Sequence, residues 1–280
     1  MPVEPAASAR SCAKYAGCVT DNPSIDADLA IALELADRAD AISTERFTAA
    51  DLRISTKADS TFVTDADQAV ERAIRAHIET ARPGDGIYGE EYGVQGDSAR
   101  QWIIDPIDGT SNYLRGVPVW GTLIALAIDG TPVVGVASAP MLGKRWWAAA
   151  GSGAWVRDGT GEARRIHVSR VNELTDASIS FQSIAQWDQA GYLDRLIALT
   201  RSVWRDRAYG DLWSYTMLAE GLVDVVAEFG VQPYDVAALI PIVQEAGGRF
   251  TSVTGDAALN SAAPLATNGL LHDAILGALI

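Results

Sequence analysis

Apolar positions in this chain repeat with two periods, and the change from one to the other orders its elements. Leu29, Leu33, Ala36 and Ile42 return at helical spacing between residue 24 and about residue 46, with Asp and Glu on the other faces. That pattern predicts an amphipathic helix opened by Ser24. Val70, Ile74, His77 and Ile78 form a second helical stripe that begins near Asp65. Residues 53–64 (RISTKADSTFVT) between the two read as strand or loop. Residues 82–86 (RPGDG) are a turn, and Ile87-Tyr88 is a short strand ending at Gly89-Glu90-Glu91. Trp102-Ile103-Ile104 is a continuous apolar run of the kind expected of a buried strand. Pro106 is expected to stop it, because proline has no ladder N–H.

Strands follow at 122–128 and 132–139 around the turn Asp129-Gly130, and at 146–149 and 153–157. From Ala177 the period alternates. Strands are predicted at 178–181, 203–207, 223–228 and 249–253, with helices at 192–200, 212–221 and 234–246 between them. The last of these helices is closed by Gly247-Gly248, a C-cap signal. The first half therefore reads as α+β and the second as α/β. The expected division is a disordered extension over 1–25, a half over 26–168 with most of the site's acids, and a half over 169–280. The two halves are expected to meet near residues 165–177.

Composition narrows the function classes. The 280 residues are 48% hydrophobic and 21% charged, ordinary for a globular protein. No apolar run reaches the length of about 20 residues that spans a bilayer. A net charge of −14 argues against nucleic acid and anionic membranes as partners. Cys12 and Cys18, the only two cysteines, do not suggest a disulfide-stapled secreted chain or a thiolate zinc site. The first 22 residues lack the apolar core of a signal peptide, so a cytoplasmic location is expected.

Four acidic spots share one kind of place, the end of a strand or the start of a helix: Asp65/Asp67, Glu90/Glu91, Asp105/Asp108 and Asp235. Each also has a purely structural explanation. Asp67, three residues after Thr64, can complete a capping box. Asp235 can charge the first turn of its helix, and Glu90 can be a solvated turn residue. Together they make a set of hard oxygen donors without clustered Cys or His, which selects Mg²⁺, Mn²⁺ or Ca²⁺ over zinc. No G-x-S-x-G, Walker A or G-x-G-x-x-G run is present. The strand-Asp-x-Asp opening at 62–67 mimics an aspartyl-nucleophile phosphatase, but Ala69 stands where that motif needs Thr or Val.

Gly89-Glu90-Glu91, then WIIDPIDGTSN, then an Asp-x-Ala helix ending in EAGG resemble the inositol monophosphatase superfamily over about residues 26–280. The resemblance implies a layered αβαβα sandwich with the metals at the junction of its halves. It implies metal ligation by Glu90, Asp105, Asp108, Asp235 and the Ile107 carbonyl, with Asp67 helping to hold a weaker metal. Two or three Mg²⁺ per site are expected, with Mn²⁺ as a substitute. Thr110 and Glu90 match the pair that activates the attacking water, and Lys57 a loop lysine near it. Asp108, Gly109 and Thr110 would cradle the phosphate. Tyr234 and Leu239 depart from the usual Trp and Gly, which bears on substrate more than on chemistry.

By position in the superfamily, Tyr209, Gly210, Asp211 and Glu228 fall beside the leaving group. Two acids there suit an ammonium-bearing alcohol. RQWIIDPIDGT, NYLRGVPVW, KRWWAA, WRDRAYGD and ATNGLLHD are similar to the branch of actinobacterial type that acts on histidinol phosphate. L-histidinol phosphate is thus the expected substrate, with inositol-1-phosphate or sugar phosphates as the alternative. A metal-dependent phosphate-ligand sensor is the non-enzyme alternative. A homodimer is expected, with Trp146-Trp147 either at its interface or in the core.

Overall fold

The computed structural model describes residues 23–56 and 62–279. Lys57 and most of the N-terminal extension lie outside the described residues. Helix α1 (Pro23–Arg46) starts one residue before Ser24, so its cap position also falls outside them. A small hairpin, β1 (Ile54–Thr56) with β2 (Phe62–Thr64), leads into α2 (Asp65–Ala81).

An eight-stranded sheet follows, in the order β10-β9-β8-β7-β6-β5-β3-β4. Its strands are β3 (Gly86–Gly89), β4 (Gly93–Gln95), β5 (Arg100–Asp108), β6 (Gly121–Ile128), β7 (Thr131–Ala139), β8 (Lys144–Ala149), β9 (Gly153–Asp158) and β10 (Arg164–Ile166). The short helix α3 (Thr110–Leu114) sits between β5 and β6. The second sheet has five strands in the order β12-β11-β13-β15-β14: β11 (Ser178–Ser180), β12 (Arg205–Arg207), β13 (Val225–Ala227), β14 (Arg249–Ser252) and β15 (Pro264–Thr267). Its helices are α4 (Ile184–Gln189), α5 (Leu193–Ser202), α6 (Asp211–Ala219), α7 (Pro233–Val236), α8 (Leu239–Glu245) and α9 (His272–Leu279).

Three apolar clusters show the layers. Leu29, Leu33 and Ala36 of α1 and Val70, Ile74 and Ile78 of α2 pack on one face of the large sheet. Leu212, Tyr215, Ile242 and Val243 of α6 and α8 fill the space between the other face and the small sheet. Leu196, Leu199 and Ile275 of α5 and α9 cover the far side of the small sheet. The order is αβαβα, each layer burying an apolar face that it could not bury alone. The junction of the sheets is broader than the 165–177 connection, because α6 and α8 span it. Trp146 and Trp147 have no solvent exposure and belong to the core, one on each side of the large sheet.

Two expectations about element ends are corrected. Pro106 does not stop its strand: β5 runs on to Asp108. The ladder to β6 shifts register between Asp105 and Asp108, so Pro106 falls in a bulge that requires no N–H. Its carbonyl accepts from Thr122 Oγ1 at 2.8 Å. The 234–246 helix is two pieces, α7 and α8. Pro241, in the first turn of α8, cannot donate to the carbonyl of Ala237 and so ends the α-ladder there. The C-cap signal holds, with Gly247 at φ +92°.

Candidate active site

Each acid reaches the site from an element whose local sequence fixes it. The bulge in β5 brings Asp105 and Asp108, which straight pleating would put on opposite faces, to one end of the strand. Thr64 caps α2, accepting from Ala66 and Asp67 N–H, and Asp67 Oδ2 reaches back to accept from Thr64 N at 2.8 Å and Thr64 Oγ1 at 2.5 Å. Asp235 does the same on α7, accepting from Gln232 N at 2.7 Å. Glu90 and Glu91 occupy the loop between β3 and β4, with Glu90 N donating to Ile104 O at 3.1 Å. The capping and functional readings are therefore compatible, since a carboxylate has an oxygen for each.

The acids assemble as two clusters: Asp67, Glu90 and Glu91, and Asp105, Asp108 and Asp235. In each, one carboxylate oxygen per residue lies within 4.8 Å of the others. Glu91 had no place among the sequence-derived ligands, and only its adjacency to Glu90 signals it. Thr110 Oγ1 donates to Ile107 O at 3.0 Å and to Asp67 Oδ1, in the first cluster, at 3.4 Å. Gly109, at φ +83°, turns the chain from β5 into α3, and a Cβ there would stand 3.2 Å from Val119 O and 3.3 Å from Asp211 Oδ2.

Burial sets the electrostatics. It raises Asp105 well above the usual carboxylate range, and the charges of Glu90, Asp108, Asp235 and Asp67 push the same way. Burial, then Asp211 and Asp235, raise Asp108, although Leu212 N donates to its Oδ2 at 2.5 Å. Asp67 is pushed up to about 6, mainly by burial. Asp105 Oδ1 is buried without a hydrogen-bond partner. An all-oxygen donor set with an orphaned buried carboxylate oxygen fits a hard divalent cation, which would reverse the repulsion.

The clusters open into a cavity of about 510 Å³. Glu90, Asp105, Ile107, Asp108 and Asp235 border it on the acidic side, and Gly109 and Thr110 at the turn. Tyr209, Gly210 and Asp211 also line it, together with Gln182 and Asn112, neither of which has a role assigned from the sequence. Among the described residues no lysine or arginine borders this cavity. Asp211 is held at both ends: Gln182 Nε2 donates to Oδ1 at 3.0 Å and Asn112 Nδ2 to Oδ2 at 3.1 Å. Burial raises its pKa. Glu228 is not on the wall; it is buried behind, with Tyr215 OH donating to Oε2 at 3.1 Å. Burial and then the charge of Asp211 push Glu228 up to about 8. Tyr234 packs edge-on against Tyr88 at 5.8 Å beside the acids, and Leu239 is core.

A family model described as the inositol monophosphatase family matches residues 25–279. A histidinol-phosphatase of Mycobacterium tuberculosis is 54% identical over 250 residues, which cover 89% of this chain and 96% of the relative. A histidinol-phosphatase of Streptomyces coelicolor is 52% identical with the same coverage of each. Among solved structures, an inositol monophosphatase from Zymomonas mobilis superposes with a TM-score of 0.80 at 31% identity, covering 92% of this chain and 99% of that one.

Proposed function

The chain belongs to the inositol monophosphatase family, and we propose that within it this protein is the Mg²⁺-dependent hydrolase of L-histidinol phosphate. It is an enzyme that hydrolyses phosphate monoesters. The observation that carries the substrate is the identity above 50%, over nearly the whole chain, to two proteins named for that activity. The Asp211 carboxylate on the cavity wall agrees with it, since histidinol phosphate carries an ammonium and inositol phosphate does not.

Phosphate monoesters hydrolyse so slowly in water that enzymatic accelerations approach ~10²¹. In our reading Glu90, Asp105, Asp108, Asp235 and the Ile107 carbonyl would hold Mg²⁺, with Asp67 and Glu91 completing the first cluster. Bound there, the cations would supply Lewis acidity and the positive potential that draws a phosphate into an otherwise acidic cavity. Thr110 Oγ1 orients the attacking water and Glu90 takes up its proton, Asp67 Oδ1 being 3.4 Å from the hydroxyl. The water oxygen bonds to phosphorus and the ester P–O bond breaks; the leaving oxygen takes a proton from solvent water while the proton taken up at Glu90 returns to solvent, leaving the alcohol and hydrogen phosphate. Asp108, Gly109 and Thr110 hold the phosphate end. Tyr209, Gly210 and Asp211 hold the alcohol end, with Glu228 setting the field behind Asp211. Lys57, which the resemblance proposes as a further catalytic residue, lies outside the described residues.

A cytoplasmic homodimer is part of the same proposal. Among the described residues no helix is long and apolar enough to cross a membrane. Phosphate release from histidinol phosphate, inositol-1-phosphate and fructose-1,6-bisphosphate, with Mg²⁺ and with EDTA, tests the proposal. Turnover only with the metal and a clear preference for histidinol phosphate are expected. Turnover surviving full chelation removes the metal role, and a preference for inositol phosphate replaces the substrate. Metal-dependent binding without turnover would favour a sensor.

A further inference from the structure

Asp67, Glu71 and Arg75 stand four residues apart on α2 and so share one face of it. Asp67 belongs to the first acidic cluster, whereas Glu71 and Arg75 do not border the cavity. Glu71 has no solvent exposure. Its Oε2 accepts the backbone N–H of Glu91 at 2.7 Å and its Oε1 that of Tyr92 at 3.2 Å. Arg75 Nε donates to the same Oε1 at 2.8 Å, and the guanidinium reaches on to Gly93 O at 2.5 Å and Gln95 Oε1 at 3.2 Å. Gly89 closes the other side, since a Cβ there would lie 2.0 Å from Glu71 Oε1. The Glu71 carboxylate thus fills the inside of the loop that presents Glu90 and Glu91.

For filling space an apolar side chain would serve, and a buried ion pair is often no more stabilising than one. What the pair adds is direction. Charge-assisted bonds to two successive loop amides fix the backbone that carries two mutually repelling acids next to a third. We propose that Glu71, braced by Arg75, is a positioning residue for the metal site: one face of α2 contributes Asp67 directly and holds Glu90 and Glu91 through Glu71. The inference rests on the reading of the acidic clusters as a metal site. Partners one step removed from ligands typically alter metal affinity by ~10–100-fold.

The test uses the full chain and Mn²⁺ as the probe, with free ion measured by electron paramagnetic resonance. The variants are Glu71→Gln, which places an NH₂ donor against an amide donor, and Gly89→Ala, which displaces the same carboxylate from the loop side. Expected is a fall in Mn²⁺ affinity of about tenfold or more. The Mg²⁺ needed for half-maximal hydrolysis should rise by a similar factor, and kcat at saturating Mg²⁺ should return to near the wild-type value. A folded variant with wild-type Mn²⁺ affinity, or a kcat loss that Mg²⁺ does not recover, would overturn the proposal. Failure of both variants to fold would make Glu71 a folding determinant and also overturn it. A wild type that binds no Mn²⁺ would instead remove the metal reading beneath it.

Discussion

Asp105→Asn should make the metal-free protein more stable while destroying its activity. Asp105 is 2% exposed, one of its oxygens has no partner, and its neighbours are acids. At the 4.8 Å limit of its cluster, two full charges repel by about 3–4 kcal/mol at an effective dielectric of 20. The cluster relieves part of this by retaining protons, as the raised pKa values of Asp105 and Asp108 indicate. A net gain of about 1–3 kcal/mol on substitution is therefore expected, or roughly 3–10 °C in Tm for a chain of this size. The sign follows from linkage. A carboxyl raised in the folded state contributes stability below its unfolded pKa and loses it as pH rises through the folded one. The Tm difference should thus be largest in EDTA near pH 8 and vanish below about pH 4. Saturating Mg²⁺ should raise wild-type Tm by mass action and the variant's by less. Phosphate release should fall by about 10³-fold or more, because the cation that Asp105 would hold supplies the Lewis acidity of the reaction. Differential scanning calorimetry with and without EDTA measures the first part and a phosphate assay the second. A variant that melts at or below wild type in EDTA at pH 8, or that keeps near-wild-type turnover, refutes the reasoning.

Asp211→Ala should lower kcat/KM for histidinol phosphate by about 10–100-fold, the size of one desolvated charge-assisted contact, and leave p-nitrophenyl phosphate within a few-fold. Equal losses on the two substrates would count against an ammonium partner. Glu228, pushed up to about 8 by burial and Asp211, gives the metal-free protein a stability that is present below about pH 4.5 and lost as pH approaches 8. Glu228→Gln removes that dependence. The difference between the two Tm–pH curves over this span should approach, at most, about 5 kcal/mol at 1.36 kcal/mol per unit of pKa, and parallel curves would contradict it.

Much of this protein was legible in the sequence because local chemistry wrote it there. The strand–acid–Gly-Thr run from Trp102 to Thr110, the Thr64–Asp67 box and the Gly247 cap depend on residues within a few positions of each other. So do the stripes of α1 and α2. The layer order and the family followed from motifs that local rules hold in place. Tertiary structure decided what depends on distant partners. Pro106 reads as a stop in the sequence because tolerance of a proline depends on the pairing with the neighbouring strand, which here has a bulge and the Thr122 hydroxyl. The break before α8 did have a local cause in Pro241, which the apolar stripe of 234–246 masked. Asp67 and Asp235 read as caps or as ligands, and only folding showed that a carboxylate can cap its helix and still stand in an acidic cluster with Glu90 or Asp105. Gln182 carried no signal and Asn112 only a place in a motif, because an amide gains a role here only when folding sets Asp211 between the two. Glu71 carries no signal in the sequence, because Gly89 and the Glu91 and Tyr92 amides come to it only by folding. A sequence records which groups are present, but their charges, partners and pKa values are set by which of them folding brings within a few ångströms.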